Sequence, residues 1–326
     1  MQDYAFTQPK PKKTTFLKWF IILFLILLFL GFLKRNLGNQ NQQIVSPLPE
    51  DIFSFFSQKP KDPTGLLAEI KKIIDQAPGS WSVYVYDLTT SQGFGINEMI
   101  IFTAASVNKV PILASLYYLA GKGEIDLDKQ ITLQAGDIQD YGTGSIRYDP
   151  PGTTYSLKTL ARLMMEKSDN TAAHLLGRQI IGFDKIQELL KTWGLTQTTM
   201  EENKTSLLDM NKLFLKIYRG EISSQALSAE MLGFMDGSDF EDRIPVLLPK
   251  ETKVYHKTGD EIGNIHDIGV VELPGHPYSD RKSSAYSKKS SAYFIGVLTS
   301  DITDEALAKQ TIAQISKMVF EYQKGL

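Results

Sequence analysis

The chain has 326 residues, 42% of them apolar and 22% charged, with a formal net charge of −2. That length holds one large domain plus an appendage, and the near-neutral balance excludes the broad basic footprint of a nucleic-acid binder. With no cysteine, and with four histidines (His174, His256, His266 and His276) that form no HExxH pattern, no disulfide framework or thiolate metal site is available, and the chemistry is expected to need no metal or cofactor.

Residues 1–15 are polar and carry Lys10, Lys12 and Lys13, and Phe16 to Leu33 is then apolar except for Lys18. The eighteen residues 16–33, at about 1.5 Å rise each, come close to the roughly 30 Å hydrocarbon core of a bilayer. A cleaved signal peptide is the competing reading, but Gly31-Phe32-Leu33-Lys34-Arg35 offers no small-x-small cleavage site. Residues 16–33 are therefore read as an uncleaved transmembrane anchor, which makes the lipid bilayer a partner. Four lysines precede or enter the span against Lys34 and Arg35 after it. This bias places residues 1–15 in the cytoplasm as a short tail and the rest of the chain outside the cell membrane. Residues 34–63, rich in Asn, Gln, Pro and Lys, read as a tether. Within it, Ile52-Phe53-Ser54-Phe55-Phe56 either lies on the membrane interface or docks on the domain that follows.

A domain spanning 64–326 begins with a helix whose apolar face is Leu66, Ile70, Ile73, Ile74 and Ala77, stopped by Pro78-Gly79. Trp81 to Leu88 reads as a strand, Thr89 to Gln92 as a turn, and Gly93 to Thr103 as the returning strand. A helix with apolar positions 110, 113, 114 and 117 follows and ends at Gly121-Lys122-Gly123; 131–146 reads as loop with short strands. Ser156 caps a helix that turns Leu157, Leu160, Leu163 and Met164 inward, and 171–181 continues as helix. Near the end, 254–257, 265–273 and 292–300 read as strands. Between the last two lies a loop of Lys, Ser and Tyr (274–291), read as solvated hairpin or as a contact for a wall or membrane surface. A closing helix after Thr303 carries Ala308, Ile312, Ile315, Val319 and Tyr322 on one stripe. Terminal helices and five strands around a helical insertion make an α+β architecture.

The chemistry concentrates where the returning strand meets the second helix, at Ser106-Val107-Asn108-Lys109. Residues three apart share a helical face. If burial disfavours the ammonium, the neutral Lys109 amine can take the Ser106 proton. Alone this pairing is weak, since Ser279-Asp280-Arg281-Lys282 repeats it in a polar loop. Two further signatures follow in order: Ser168-Asp169-Asn170 between two helical segments, and Lys257-Thr258-Gly259 on a strand.

These three motifs in this order resemble the class A β-lactamases and penicillin-binding serine hydrolases from about Thr64 to the C-terminus. Gly142-Thr143-Gly144-Ser145-Ile146, Pro151-Gly152 and the strand from Asp267 to Val271 also resemble that family. The resemblance implies a five-stranded antiparallel sheet flanked by terminal helices with an inserted helical subdomain. It implies an acyl-enzyme on Ser106, with Lys109 as base or relay and Ser168 passing the proton to the leaving nitrogen. Asn170 is then expected to bond the substrate's amide side chain, and Lys257 and Thr258 its carboxylate. The N–H groups of Ser106 and Asp260 would form the oxyanion hole, worth about 10²–10³ in rate per donor. His266 falls where some relatives carry an arginine for that carboxylate, and is a second candidate binding residue. Outside the site, His174 reads as a packing histidine, and Ser168 and Asn170 compete as caps of the helix from Thr171.

Two departures from the family stand out. The loop that supplies the deacylating glutamate is largely missing, because Gly194 to Asn203 passes almost at once to Lys204-Thr205-Ser206. Glu201 and Glu202 are the nearby acids and read as residues of a solvated turn. Asp260 stands where the family has a small or hydroxyl residue. At about 6 Å from a substrate carboxylate and an effective dielectric near 20, it would oppose binding by roughly 2–3 kcal/mol unless turned away or paired. His266 or Lys257 would be its partner, or the natural substrate lacks that carboxylate. Three readings follow: a membrane-anchored hydrolase of β-lactams or D-Ala-D-Ala-like acyl compounds, slow to deacylate; a true β-lactamase; or a penicillin-binding receptor without turnover.

Overall fold

The computed structural model describes residues 61–274 and 291–325. The predicted tail and anchor, the tether up to residue 60 with its Ile52 to Phe56 patch, and the loop over 275–290 lie outside the described residues. Among the described residues no helix is long and apolar enough to cross a membrane.

In chain order, α1 (Thr64–Ile74) leads to β1 (Ser80–Asp87), β2 (Gly93–Ile96) and the short β3 (Phe102–Thr103). A 3₁₀ turn over Ala105–Asn108 then opens α2 (Lys109–Gly121). After β4 (Gln130–Thr132) and β5 (Thr154–Ser156) come α3 (Leu157–Glu166), α4 (Asn170–His174) and a π-helical stretch over Leu175–Ile181. The helical part closes with α5 (Phe183–Thr192), β6 (Lys204–Thr205), α6 (Leu207–Tyr218) and α7 (Gln225–Gly233). Finally β7 (Lys253–Glu261), β8 (Asn264–Glu272) and β9 (Ala292–Ser300) precede α8 (Glu305–Lys324).

Five of the strands form the antiparallel sheet in the order β2-β1-β9-β8-β7. Both faces are covered: burial runs almost unbroken along β8 and β9, and successive side chains alternate between the two faces. On one face Val83, Val85, Ile295 and Val297 pack with Ile70 and Ile74 of α1 and Ile312, Ile315 and Val319 of α8. On the other, Tyr84, Phe294, Leu298, Ile268 and Val270 meet the helical part. Helix α2 runs through the middle of that second core, with Val110, Leu113, Ala114, Leu116 and Tyr117 fully buried. A helix apolar on all sides belongs there. Side-chain caps fix the helix starts: Ser156 Oγ accepts from Thr159 N, Ser206 Oγ from Asp209 N, and Asp304 from Leu307 N.

Two expectations need correction. The returning strand does not run from Gly93 to Thr103: it stops at Ile96, and β3 pairs instead with β6 (Phe102 with Thr205, Thr103 with Lys204). Asn97 breaks it, sitting at φ 57° with its Nδ2 donating to Trp81 O and its carbonyl accepting from Ile100 N. The helix expected over 171–181 is α only to His174, then widens to π and ends at Gly182, φ 85°.

Candidate active site

The corner that holds Ser106 is pinned from outside. Pairing of β3 with β6 and a 2.7 Å bond from Ala104 N to Asn203 O fix the chain, and Ala105 turns it at φ 47°. The 3₁₀ turn that follows stacks residue i almost over i+3. Lys109 Nζ consequently lies 3.0 Å from Ser106 Oγ. It also donates to Ser168 O (2.5 Å), Ser168 Oγ (3.0 Å) and Asn170 Oδ1 (2.8 Å). Lys109 is 5% exposed. Burial first, and then the neighbouring Lys257, push its pKa well below the ordinary lysine value, with Asp169 pulling the other way.

Ser168 is held by its neighbour. It sits in the left-handed region at φ 51°, and Asp169, buried beside it, bonds three backbone N–H groups. Asp169 Oδ2 accepts from Ser145 N (2.7 Å) and Ile146 N (2.9 Å), and Oδ1 caps α4 through Ala172 N (3.0 Å). The cap is thus Asp169, which leaves Ser168 and Asn170 free to face Lys109. Asn170 is oriented by donating from Nδ2 to Tyr141 O at 3.0 Å.

The third motif arrives on β7. Lys257, 2% exposed, donates to Ser168 Oγ (3.1 Å) and to Thr258 O (2.9 Å), with its Nζ 5.9 Å from the centre of the Phe240 ring. Burial pushes its pKa down to about 7, against Asp267 and Asp260 and with the help of Arg243. Gly259 lets β7 approach the corner, because a Cβ there would stand 3.1 Å from Ala104 O and 3.2 Å from both His266 Cδ2 and Val107 Cγ2. The structure thus brings Ser106, Lys109, Ser168, Asn170 and Lys257 into one hydrogen-bonded group. A small cleft of about 60 Å³ opens on it, lined by Ser106, Thr143, Ser168, Asn170, Thr258 and Asp260. A half-buried hydroxyl on a buried amine whose proton affinity is reduced is an arrangement for nucleophilic attack.

The profile of the β-lactamase enzyme family matches residues 65–279. The chain belongs to that family. It is therefore a β-lactamase-family serine hydrolase, and its fold is that of class A. The β-lactamase VEB-1 of Pseudomonas aeruginosa is 24% identical over 235 residues, which is 64% of this chain and 78% of its own length. The solved structure of PBP-A superposes with a TM-score of 0.72 at 26% identity, covering 83% of this chain and all of PBP-A. A PBP-A variant, solved as an acyl-enzyme complex with penicillin G, gives 0.71 over 81% of this chain and 97% of its own. An ancestral class A β-lactamase, at 21% identity, has a TM-score of 0.70 over 79% of this chain.

The short segment before β6 is a tight turn. Thr199 and Lys204 exchange backbone bonds (2.9 and 3.1 Å) around the tight turn Met200–Asn203. Asp209, fully buried, holds the approach by accepting from Gln197 N (2.6 Å) and Thr198 Oγ1 (3.1 Å). Glu202 pairs with Lys204 at 3.2 Å. Glu201, 74% exposed at its side chain, pairs with Arg178 at 3.3 Å. It lies on the rim of a second cavity, about 230 Å³, that reaches Lys109 and Asn170 from the side of the shortened turn. His174 is half-buried on the same rim, bonded to Gln179 at 3.2 Å.

His266 is not brought to the cleft, which corrects the sequence reading. It is fully buried, with Nε2 against Thr103 O (2.8 Å) and Nδ1 accepting from Thr299 N (3.1 Å). Burial lowers its pKa to about 4, so it is a neutral tie between β8, β9 and the Ser106 corner. The partner of Asp260 is instead Arg243, which the sequence reading missed. Its fully buried guanidinium donates to the Asp260 carboxylate (2.7 and 2.8 Å) and to His266 O (2.7 Å). Behind it, buried His256 bridges buried Asp267 (2.8 Å) and the more exposed Glu241 (3.1 Å), and Asp267 accepts from Ile244 N (3.0 Å), which ties the segment carrying Arg243 to β7 and β8. Burial alone would lower the pKa of His256, but the two carboxylates outweigh it and push it up to about 9.

Proposed function

We propose that this protein is a membrane-anchored, extracytoplasmic hydrolase that forms an acyl-enzyme on Ser106 with β-lactams or D-Ala-D-Ala-like peptides and releases the product slowly. The observation that carries the reading is Lys109 Nζ at 3.0 Å from both Ser106 Oγ and Ser168 Oγ. In this reading the neutral Lys109 takes the Ser106 proton as Oγ attacks the acyl carbon. The backbone N–H groups of Ser106 and Asp260 stabilise the oxyanion. Ser168 gives its hydroxyl proton to the leaving nitrogen and regains one from the Lys109 ammonium 3.0 Å away, while Lys257, 3.1 Å from the same Oγ, holds that hydroxyl in place. Asn170 bonds the amide of the acyl side chain, and Thr258 holds the far end of the substrate. Deacylation needs a second base aimed at water. The shortened turn and the pairing of Glu201 with Arg178 support a slow second step.

A fluorescent penicillin tests the first half: it should label the wild type, leave Ser106→Ala unlabelled, and label Lys109→Ala about 10²–10⁴ more slowly, as loss of a positioned base demands. Equal labelling of Ser106→Ala refutes the mechanism. The placement rests on residues 16–33 and the lysine bias. Protease added to intact cells should release the domain by cutting within the tether, and release only after lysis refutes it. The similarity to VEB-1 favours a second reading, a true β-lactamase, distinguished by rapid turnover that depends on Glu201 or Glu202.

A further inference from the structure

Resting on that reading of the site, we infer that the subsite beside Thr258 prefers acyl compounds whose leaving portion ends in an uncharged group, such as a carboxamide, over those ending in a carboxylate, and that Asp260 sets this preference. Among the described residues that line the cleft, Asp260 alone is charged. Its side chain is 39% exposed while the Arg243 paired with it is fully buried behind it, so the charged group a substrate meets first is the carboxylate.

The cations that could answer a carboxylate are already engaged. Arg243 is fully buried behind Asp260, its two terminal nitrogens committed to the Asp260 carboxylate and to His266 O, and its Nε 3.2 Å from Asp242. Lys257 is buried and bonded to Ser168 Oγ and Thr258 O. Its lowered pKa leaves part of the population uncharged at neutral pH. His266 is neutral and turned into the core. Hydrogen-bond chemistry points the same way. A carboxylate brings only acceptors to a site whose exposed group is an acceptor, whereas a primary carboxamide offers N–H to Asp260 and C=O to Thr258.

At a separation of about 6 Å and an effective dielectric near 20, the Asp260 charge alone is worth about 10- to 100-fold in reactivity; Arg243, paired with it but farther from the substrate, offsets part of this and leaves a net preference of about three- to tenfold. The size of the effect makes it measurable with two substrates that differ in one group. The first is a thioester of an N-acyl-D-alanine with thioglycolic acid, and the second is the same thioester with the terminal acid converted to its primary amide. In both, Ser106 Oγ attacks the thioester carbonyl, the C–S bond breaks and the thiol leaves with the proton relayed from Ser106. A chromogenic thiol reagent reports the release without background from the protein, which has no cysteine.

With the full chain in detergent, the wild type should react with the carboxamide at least about threefold faster, judged by kcat/KM. Asp260→Asn should raise the acid thioester about 10- to 100-fold and change the carboxamide less than about threefold. Equal or faster reaction of the acid in the wild type overturns the inference, and that comparison needs no variant to fold. Equal changes for both thioesters in Asp260→Asn also overturn it, since they mark Asp260 as structural. Release of neither thiol by the wild type overturns the hydrolase reading beneath it.

Discussion

Replacing Lys257 by methionine keeps a side chain of similar length in the same packed position and removes a buried charge. Its folded pKa of about 7 lies below the ordinary 10.5, and burial is the largest cause. A base depressed in this way binds fewer protons folded than unfolded. Its contribution to stability is complete above pH 10.5 and is lost progressively as pH falls to 7. Over the whole window the loss is on the order of 5 kcal/mol at about 1.4 kcal/mol per unit. Two hydrogen bonds disappear with the amine, to Ser168 Oγ and Thr258 O, at about 1 kcal/mol each. Lys257→Met should therefore be about 3 kcal/mol more stable than the wild type at pH 7 and catalytically dead, the trade expected at a strained active site. The advantage should shrink by about 2 kcal/mol between pH 7 and 9. Lys109, relieved of repulsion by Lys257, moves back toward its ordinary value and adds to the same trend. Equilibrium urea denaturation of both proteins at pH 7, 8 and 9 measures the gap. A gap that stays constant within about 1 kcal/mol, or widens with pH, refutes the argument that Lys257 is a desolvated base.

Two further substitutions test how the site is held. Asp169→Ala strands the N–H groups of Ser145, Ile146 and Ala172 and should cost about 3–5 kcal/mol. A loss under about 1 kcal/mol in the same urea assay would mean that Ser168 keeps its left-handed backbone without this clamp. Gly259→Ala sets a methyl against Ala104 O and Val107, and should cost about 1–3 kcal/mol while slowing penicillin labelling. Unchanged stability and labelling would show that β7 does not need its close approach to the Ser106 corner.

The parts of the site legible in the sequence were those written in short-range spacing. Ser106 and Lys109 are three residues apart, so any helical turn puts them on one face. Lys257 belongs to a strand whose neighbours, Val254 and Tyr255, are plainly buried. Arg243 was not legible, because its segment, from Gly237 to Thr252, contains no regular strand or helix and its partner Asp260 is chosen by the tertiary fold alone. Phe240 was missed for the same reason. Asp169 was overshadowed by its neighbours: a Ser, an Asp and an Asn are all good caps, and only the fold decides which one turns inward. The strand boundary at Ile96 was misread because Met99-Ile100-Ile101 looks like strand interior, whereas these residues are 65%, 48% and 49% exposed. Apolar character usually means burial, and here it does not.

Acylation outrunning deacylation is the central claim, and it is tested by following the intact mass of the protein after mixing with an excess of penicillin G. Loss of a general base removes about 10²–10⁴, or roughly 3–5 kcal/mol, from the hydrolytic step. Even with acylation slowed by Asp260, an adduct on the Ser106 peptide should accumulate and persist for minutes or longer while little antibiotic is consumed. Rapid catalytic loss of the penicillin with no lasting adduct, abolished in Glu201→Gln or Glu202→Gln, would contradict the account and identify the missing base.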